Sequence, residues 1–336
     1  MTLFLLHNLA CWVILLSMET EFNQDDLNLI ELAQQYSDED KARALLESLR
    51  WPNGAVCPHC QNDGKTKGIY ALQPRPTSKS PARKGVYKCG ACRNQFTVKV
   101  GTVFESSHIP ITKWMMAMFI LCSSKKSISS HQLHRMLKIT YKSAWFMSHR
   151  IRYAMGPDNA NGAKLTGTVE IDETYVGGKG DRKTQVLRKT PVVALIERGG
   201  AMRTAVVANV TQRNLRAVIN ECVDKSAIIN TDESPVYRNQ LNSFEGHDRV
   251  NHSKDLYVLK MAGSGRLAHV NTCESFFSLL KRGVMGSWHH VSREHLPKYS
   301  GEFAFRWNHR NISDGARMVK GVESIEGKRL TYRECV

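Results

Sequence analysis

The nine residues Thr168-Val-Glu-Ile-Asp-Glu-Thr-Tyr-Val176 limit the fold more than any other stretch of the chain. β-Branched and aromatic side chains dominate, and Gly177-Gly178 ends the run, so it reads as a strand. Yet it carries three carboxylates. Side chains alternate across a strand, which puts Glu170 and Asp172 on one face and Glu173 on the other. A carboxylate in so apolar a strand is unfavourable unless something pairs with it. A divalent cation is one such partner, and oxygen ligands suit Mg²⁺ or Mn²⁺. A salt bridge at a sheet edge is another, and the strand alone does not choose between them.

Charge narrows the partners. The formal net charge is +16, and residues 18–50 hold nine acidic and three basic side chains, so the remainder carries +22. A chain this basic is built to meet a polyanion, and nucleic acid is the first candidate. At 336 residues there is room for two or three domains. Of nine cysteines, four form the pairs Cys57-Pro-His-Cys60 and Cys89-Gly-Ala-Cys92, and five are scattered. That is no secreted disulfide framework. It suits a reducing compartment, the cytoplasm and its nucleoid, and one metal site. Two Cys-x-x-Cys knuckles present four thiolates in the tetrahedron that Zn²⁺ accepts, and Gly90 allows a tight second knuckle. Residues 55–104 therefore read as a zinc ribbon. Its 28-residue spacer is long, but closing a longer loop costs little extra. The spacer is rich in Lys and Arg, including Lys65, Lys67, Lys79 and Lys88, which suits phosphate contact.

Residues 1–17 are apolar but too short and interrupted for a membrane span, and they lack the basic start and cleavage site of a signal peptide. We expect translation to start at Met18, with 1–17 a mis-assigned leader; N-terminal sequencing that recovered Met1 or Thr2 would refute this. Residues 18–54 predict two helices, the second capped by Ser37 with Asp40 three residues on. Residues 109–155 predict a helical segment. Residues 113–122 are apolar nearly all round, hence a buried helix. Ser129 or Ser130 then caps a short helix, Lys138-Ile-Thr140 turns, and a third helix begins at Tyr141. Short helix, turn and longer helix give a helix-turn-helix outline. This reading presents Lys142, Ser143, His149, Arg150 and Arg152 outward, with Lys142, Arg150 and Arg152 as DNA contacts. Gly156-Pro-Asp-Asn-Ala-Asn-Gly162 is a linker.

After the acidic strand, two strands at 191–197 and 204–210 flank a hairpin turn, Arg198-Gly-Gly200. A helix follows at 214–223, then a strand at 227–231 with Asp232 at its end. Three antiparallel strands, a helix and a further strand are the order of the ribonuclease H-like fold, in which the first and fourth strands lie side by side. Asp172 and Asp232 would then meet although 59 residues lie between them. A third acid comes from the helix at 271–283: Glu274 and Lys281 are seven apart and share one face, with Asn271 nearby. Three acids from three distant elements can supply a two-metal site.

These residues carry a resemblance. Gly167-Thr-Val-Glu-Ile-Asp-Glu-Thr-Tyr-Val-Gly-Gly178, Ile228-Ile-Asn-Thr-Asp-Glu-Ser234 and His269-Val-Asn-Thr-Cys-Glu-Ser-Phe-Phe-Ser-Leu-Leu-Lys-Arg-Gly283 resemble bacterial insertion-sequence transposases with an N-terminal zinc ribbon. The group is the insertion-sequence family numbered fifteen-ninety-five, with the Merlin elements as eukaryotic relatives. Leu46-Glu-Ser-Leu-Arg-Trp-Pro-Asn-Gly54 and Phe303-Ala-Phe-Arg-Trp-Asn-His-Arg310 resemble it too, so the likeness runs from about residue 25 to 310. It implies an α/β, ribonuclease H-like mixed-sheet domain over 163–310 that cuts and rejoins DNA strands. Asp172, Asp232 and Glu274 would hold Mg²⁺ or Mn²⁺, and Lys281 would hold a phosphate with Arg282 beside it. Some members use Asn as the third ligand, which leaves open whether Asn271 shares or replaces the role of Glu274. The resemblance also implies DNA ends and target DNA as partners and at least a dimer. No phosphate-binding Gly-x-x-x-x-Gly-Lys-Ser/Thr loop occurs, so ATP is not expected. His289-His290 suits a phosphate-contacting or structural loop better than a metal site. Residues 311–336 read as a basic tail without a role. The rival readings are a domesticated, non-cutting DNA binder, a ribonuclease H-like nuclease, and a protein anchored in a membrane through residues 1–17.

Overall fold

In the computed structural model, residues 23–73, 83–156, 163–178, 189–238, 241–250, 258–260 and 265–335 are described. The expected leader at 1–17, Lys79 of the ribbon spacer and linker positions 157–162 lie outside them. Two bodies of structure are formed, the first around one apolar cluster and the second, a sheet, with a cluster on each face.

The first begins with helices α1 (Leu29–Gln35) and α2 (Glu39–Arg50). Asp38 caps α2, its carboxylate accepting from the backbone N–H groups of Asp40 and Lys41 at 2.8 and 3.2 Å. This corrects the expectation of Ser37, whose hydroxyl turns back toward the carbonyl of Gln34. A carboxylate one residue nearer the helix satisfies two first-turn donors at once and favours the positive end of the helix dipole. Strands β1 (Ile69–Ala71), β2 (Tyr87–Cys89) and β3 (Gln95–Phe96) pair antiparallel as a small ribbon. The ribbon is pinned to α2 by edge-on contacts of Trp51 with Tyr87 and Phe96. Helices α3 (Ile111–Ser123), α4 (Ser130–Leu137) and α5 (Tyr141–Met155) complete the outline expected from sequence. Trp114, Met118 and Leu121 of α3 are buried, as a helix apolar all round requires.

The segment expected as a tail belongs to this same core. Helix α9 (Asp314–Glu323) packs on α3, and Met318, Val322 and Ile325 join the first cluster. Gly321 permits the approach, since a Cβ there would lie 2.9 Å from the Cys122 sulfur. Glu326 accepts both Nε and Nη2 of Arg50, at 2.5 and 2.9 Å. A short apolar stripe set among many charges hid this helix in the sequence.

The second body is a five-stranded sheet made of β4 (Thr168–Val176), β5 (Thr190–Glu197), β6 (Met202–Val206), β7 (Ile228–Thr231) and β8 (Gly246–Arg249), in spatial order β6-β5-β4-β7-β8. β4, β5 and β6 are antiparallel, while β7 runs parallel to β4 and to β8. This is the expected ribonuclease H-like order. Alternation then assigns the faces. Val169, Ile171, Val193 and Leu195 pack on helix α6 (Gln212–Cys222) through Leu215 and Ile219. Val192, Ala194 and Ile196 pack on α7 (Asn271–Gly283) and α8 (Leu296–Asn308) through Phe276, Leu280 and Phe303. The short hairpin strands β9 (Leu259–Lys260) and β10 (Leu267–Ala268) precede α7. No helix among the described residues is long and apolar enough to cross a membrane.

Candidate active site

The four ribbon cysteines meet. Sγ of Cys57 lies 3.7 Å from that of Cys92, and Sγ of Cys60 lies 3.7 Å from that of Cys89. All four sulfurs are within 4.8 Å of one another, the one such donor group among the described residues. A tetrahedron with Zn–S arms of about 2.3 Å has edges of about 3.8 Å, so the spacing fits Zn²⁺. The two knuckles repeat each other: Gln61 N–H returns to Cys57 O and Arg93 N–H to Cys89 O, each at 2.9 Å. Gln61 and Arg93 both have positive φ, 59° and 61°. The backbone N–H of Cys92 draws the Cys89 thiol down to about 6, whereas burial pushes the Cys57 thiol up to about 12. Gly90 is needed for approach: its N–H bonds Gly68 O at 2.9 Å, and a Cβ would stand 2.7 Å from that oxygen.

The acids of the sheet domain approach one another from three elements, without closing to the 4.8 Å spacing that the ribbon sulfurs reach. Glu170 of β4 pairs with Asn230 of β7 in the parallel register. Asp232 follows directly on the end of β7, near enough to Asp172 for its charge to act on that carboxyl. Helix α7 crosses the same sheet face and brings Glu274 toward Asp172. Asp172, Glu173, Glu274 and Lys281 line one open cleft of 910 Å³, with Lys126, Ser278 and Arg282 around them. Burial, with added repulsion from Glu173, Asp232 and Glu274, lifts the Asp172 carboxyl to about 7. Burial also raises Glu173, against a hydrogen bond from Tyr237 Oη–H that lowers it. Acids that repel one another in a half-buried cleft suit a divalent cation, and carboxylate oxygens are the donor set Mg²⁺ or Mn²⁺ takes. Three positive side chains, Lys126, Lys281 and Arg282, line the same cleft. Lys126, from the loop after α3, had no signal in sequence. The hydroxyl of Ser287, in the π-helical turn Val284–Trp288 that follows α7, donates to the Lys126 carbonyl at 2.9 Å and ties the two walls together.

Two expected DNA contacts are corrected. Arg150 and Arg152 do not face outward; they are 5 % and 1 % exposed, and His149 is fully buried. Arg152 Nε donates to Glu302 Oε2 at 2.6 Å, and its guanidinium lies 4.2 Å from the Tyr299 ring centre. Arg150 lies over the rings of Trp114 and Phe146 and donates to the Glu105 carbonyl. Helix α5 is covered on two sides, by the first cluster and by α8, so the polar stripe read as a surface is an interior one. Lys142 stays exposed at the start of α5, 4.5 Å from the Tyr332 ring centre. His289 and His290 are exposed.

Residues 164–308 match the model of the ISXO2-like transposase domain, and residues 37–95 match that of the transposase zinc-ribbon domain. A protein of Halobacterium salinarum, described as an uncharacterized protein in transposable element ISH50, is 30% identical over 293 residues, covering 81% of this chain and 91% of that one. A chain from the simian T-cell lymphotropic virus intasome in complex with PP2A regulatory subunit B56 gamma aligns at a TM-score of 0.28 and 14% identity, over 60% of this chain and 67% of that one. At that score the likeness carries no argument. Zinc ribbon, acidic cleft and transposable-element relative together place the chain in the family of insertion-sequence transposases that join a transposase zinc ribbon to an ISXO2-like transposase domain.

Proposed function

We propose that the chain binds the terminal inverted repeats of its element, nicks the DNA there and joins the freed 3′ end to target DNA. The observation that carries this reading is the cleft lined by Asp172, Glu274, Lys281 and Arg282, with Asp232 just past the end of the neighbouring strand β7. Asp172, Asp232 and Glu274 would hold Mg²⁺ or Mn²⁺. When bound, the ions activate a water nucleophile and stabilise the leaving 3′ oxygen. Lys281 and Arg282, about two turns beyond Glu274 along α7, hold the phosphate against the acids, and Lys126 closes the opposite wall. Cleft openness suits a duplex end rather than a small substrate. Lys142, at the exposed start of α5, contributes a phosphate contact that positions the helix without reading bases. Two ends must be brought together for joining, so at least a dimer acts.

The test is a nicking and strand-transfer assay on a labelled element end with Mg²⁺, comparing wild type with Asp172→Ala. Wild type should give both nicked and joined products, and the variant neither. Equal activity in the two would refute the assignment. Nicking without any joined product would instead favour a hydrolytic nuclease.

A further inference from the structure

Glu170 carries the same carboxylate as Asp172, on the same strand face, two residues earlier. Its surroundings differ completely. It is fully buried, and donors converge on it. Thr272 N–H donates to Oε2 at 2.9 Å, and the Thr272 hydroxyl donates to Oε1 at 2.9 Å. Arg198 Nε donates to Oε1 at 2.8 Å, and the ring Nδ1 of His269 lies 3.1 Å from the same oxygen. The other guanidinium nitrogens of Arg198 hold the carbonyls of Leu267 and His269, the residues that lead into α7.

Helix α7 needs this help. Its capping position is Val270, which makes no side-chain cap bond. The first N–H groups of a helix lack partners within it, and a carboxylate is the favoured acceptor at that end. Here the cap comes from a strand about a hundred residues earlier. The pairing has a geometric consequence. Asp172 stands two residues beyond Glu170 on the strand, and Glu274 lies in the same first turn of α7 as Thr272. Tying that turn to Glu170 therefore fixes the start of the helix, and Glu274 with it, against the strand that carries Asp172.

We propose that Glu170 is a positioning residue: from the sheet it caps α7, and with Arg198 and Thr272 it fixes the distance at which Glu274 faces Asp172. The proposal rests on the reading of those acids as ion ligands, and the experiment separates the two. Zinc-loaded full-length protein is titrated with Mn²⁺, free ion being followed by its electron paramagnetic resonance signal. Thermal midpoints and nicking at each Mn²⁺ concentration are measured in parallel. Thr272→Ser keeps the hydroxyl and should bind Mn²⁺ within twofold of wild type. Thr272→Val removes it and should raise the half-saturating Mn²⁺ about tenfold, with nicking partly restored at excess ion. Glu170→Gln should do worse, because a single amide oxygen faces donors that need two, and its NH₂ group meets donors itself.

If Asp172→Asn still binds Mn²⁺ like wild type, the ligand reading itself fails and the positioning role falls with it. If Asp172→Asn loses the ion while Thr272→Val and Glu170→Gln keep wild-type half-saturation at lowered thermal midpoints, Glu170 serves stability alone and the proposal is overturned. Should Glu170→Gln fail to fold, the Thr272→Ser and Thr272→Val pair decides.

Discussion

Replacing Asp172 by Asn should stabilise the ion-free protein while abolishing its activity. The carboxyl is lifted from an ordinary 3.8 to about 7, first by burial and then by repulsion from Glu173, Asp232 and Glu274. An acid whose folded value lies above its unfolded one binds more protons in the folded state between those values. Stability of the ion-free fold therefore falls as pH rises from about 4 to about 7, and stays low above that. At ~1.4 kcal/mol per pH unit the full rise corresponds to about 4 kcal/mol. The cleft is open to water, and screening reduces this to roughly 2 kcal/mol. Asn is nearly isosteric and its oxygen can keep the bond from Glu173 N–H, 2.8 Å in the parent. In a chain of this size about 2 kcal/mol appears as roughly 4 °C in the thermal midpoint. The assay is differential scanning fluorimetry in buffer freed of divalent ions by passage over resin, because a soluble chelator would strip the zinc. At pH 7.5 the variant should melt higher than wild type, and near pH 4.5 most of that difference should be gone. Adding Mn²⁺ should raise the wild-type midpoint and leave the variant unmoved. A variant less stable than wild type at pH 7.5, or a gap that does not close on acidification, would refute the reasoning.

Other consequences can be checked on single variants. Glu302→Ala strands the guanidiniums of Arg152 and Arg306, whose side chains are 1% and 8% exposed. It should cost about 3–5 kcal/mol in urea unfolding, whereas Arg152→Met leaves Glu302 its second partner and should cost less. Lys142→Ala should weaken binding to an element end and lower the slope of log affinity against log salt by about one, with an unchanged thermal midpoint. Arg150→Ala should do the reverse, lowering the midpoint, because its guanidinium fills space between the Trp114 and Phe146 rings. Cys89→Ser should abolish zinc binding, read by a chromogenic zinc assay. It should also release Trp51, which packs on the ribbon rings of Tyr87 and Phe96, read by near-ultraviolet circular dichroism.

Local patterns made much of the fold legible. Two paired knuckles declared a metal site, because thiolates at that spacing have little else to do. β-Branched and apolar runs bounded by glycine pairs declared strands at 168–176 and 191–197, and their order implied that Asp172 and Asp232 would be neighbours. Seven-residue spacing placed Glu274 and Lys281 on one helix face, where both now line the same cleft. Illegible features depend on partners far away in the chain. Arg152 reads as a surface cation until Glu302, 150 residues on, neutralises it inside. Helix α9 reads as a polar tail until α3 offers a groove for Met318 and Val322.

Glu170 and Asp172 mark the limit of such reading. Both are acids on one face of one strand, and nothing within the strand tells them apart. What separates them is the sign of the groups that later elements bring. Arg198 and Thr272 bring donors to Glu170, so that its charge is satisfied by protein and it can hold a helix in place. Burial, with like charge from Glu173, Asp232 and Glu274, raises the Asp172 carboxyl. The two roles need each other: unsatisfied acids repel, and a helix carrying one of them would swing away unless its first turn were anchored. Two identical-looking carboxylates one rung apart are thus a minimal way to press like charges together while keeping the elements that bear them still.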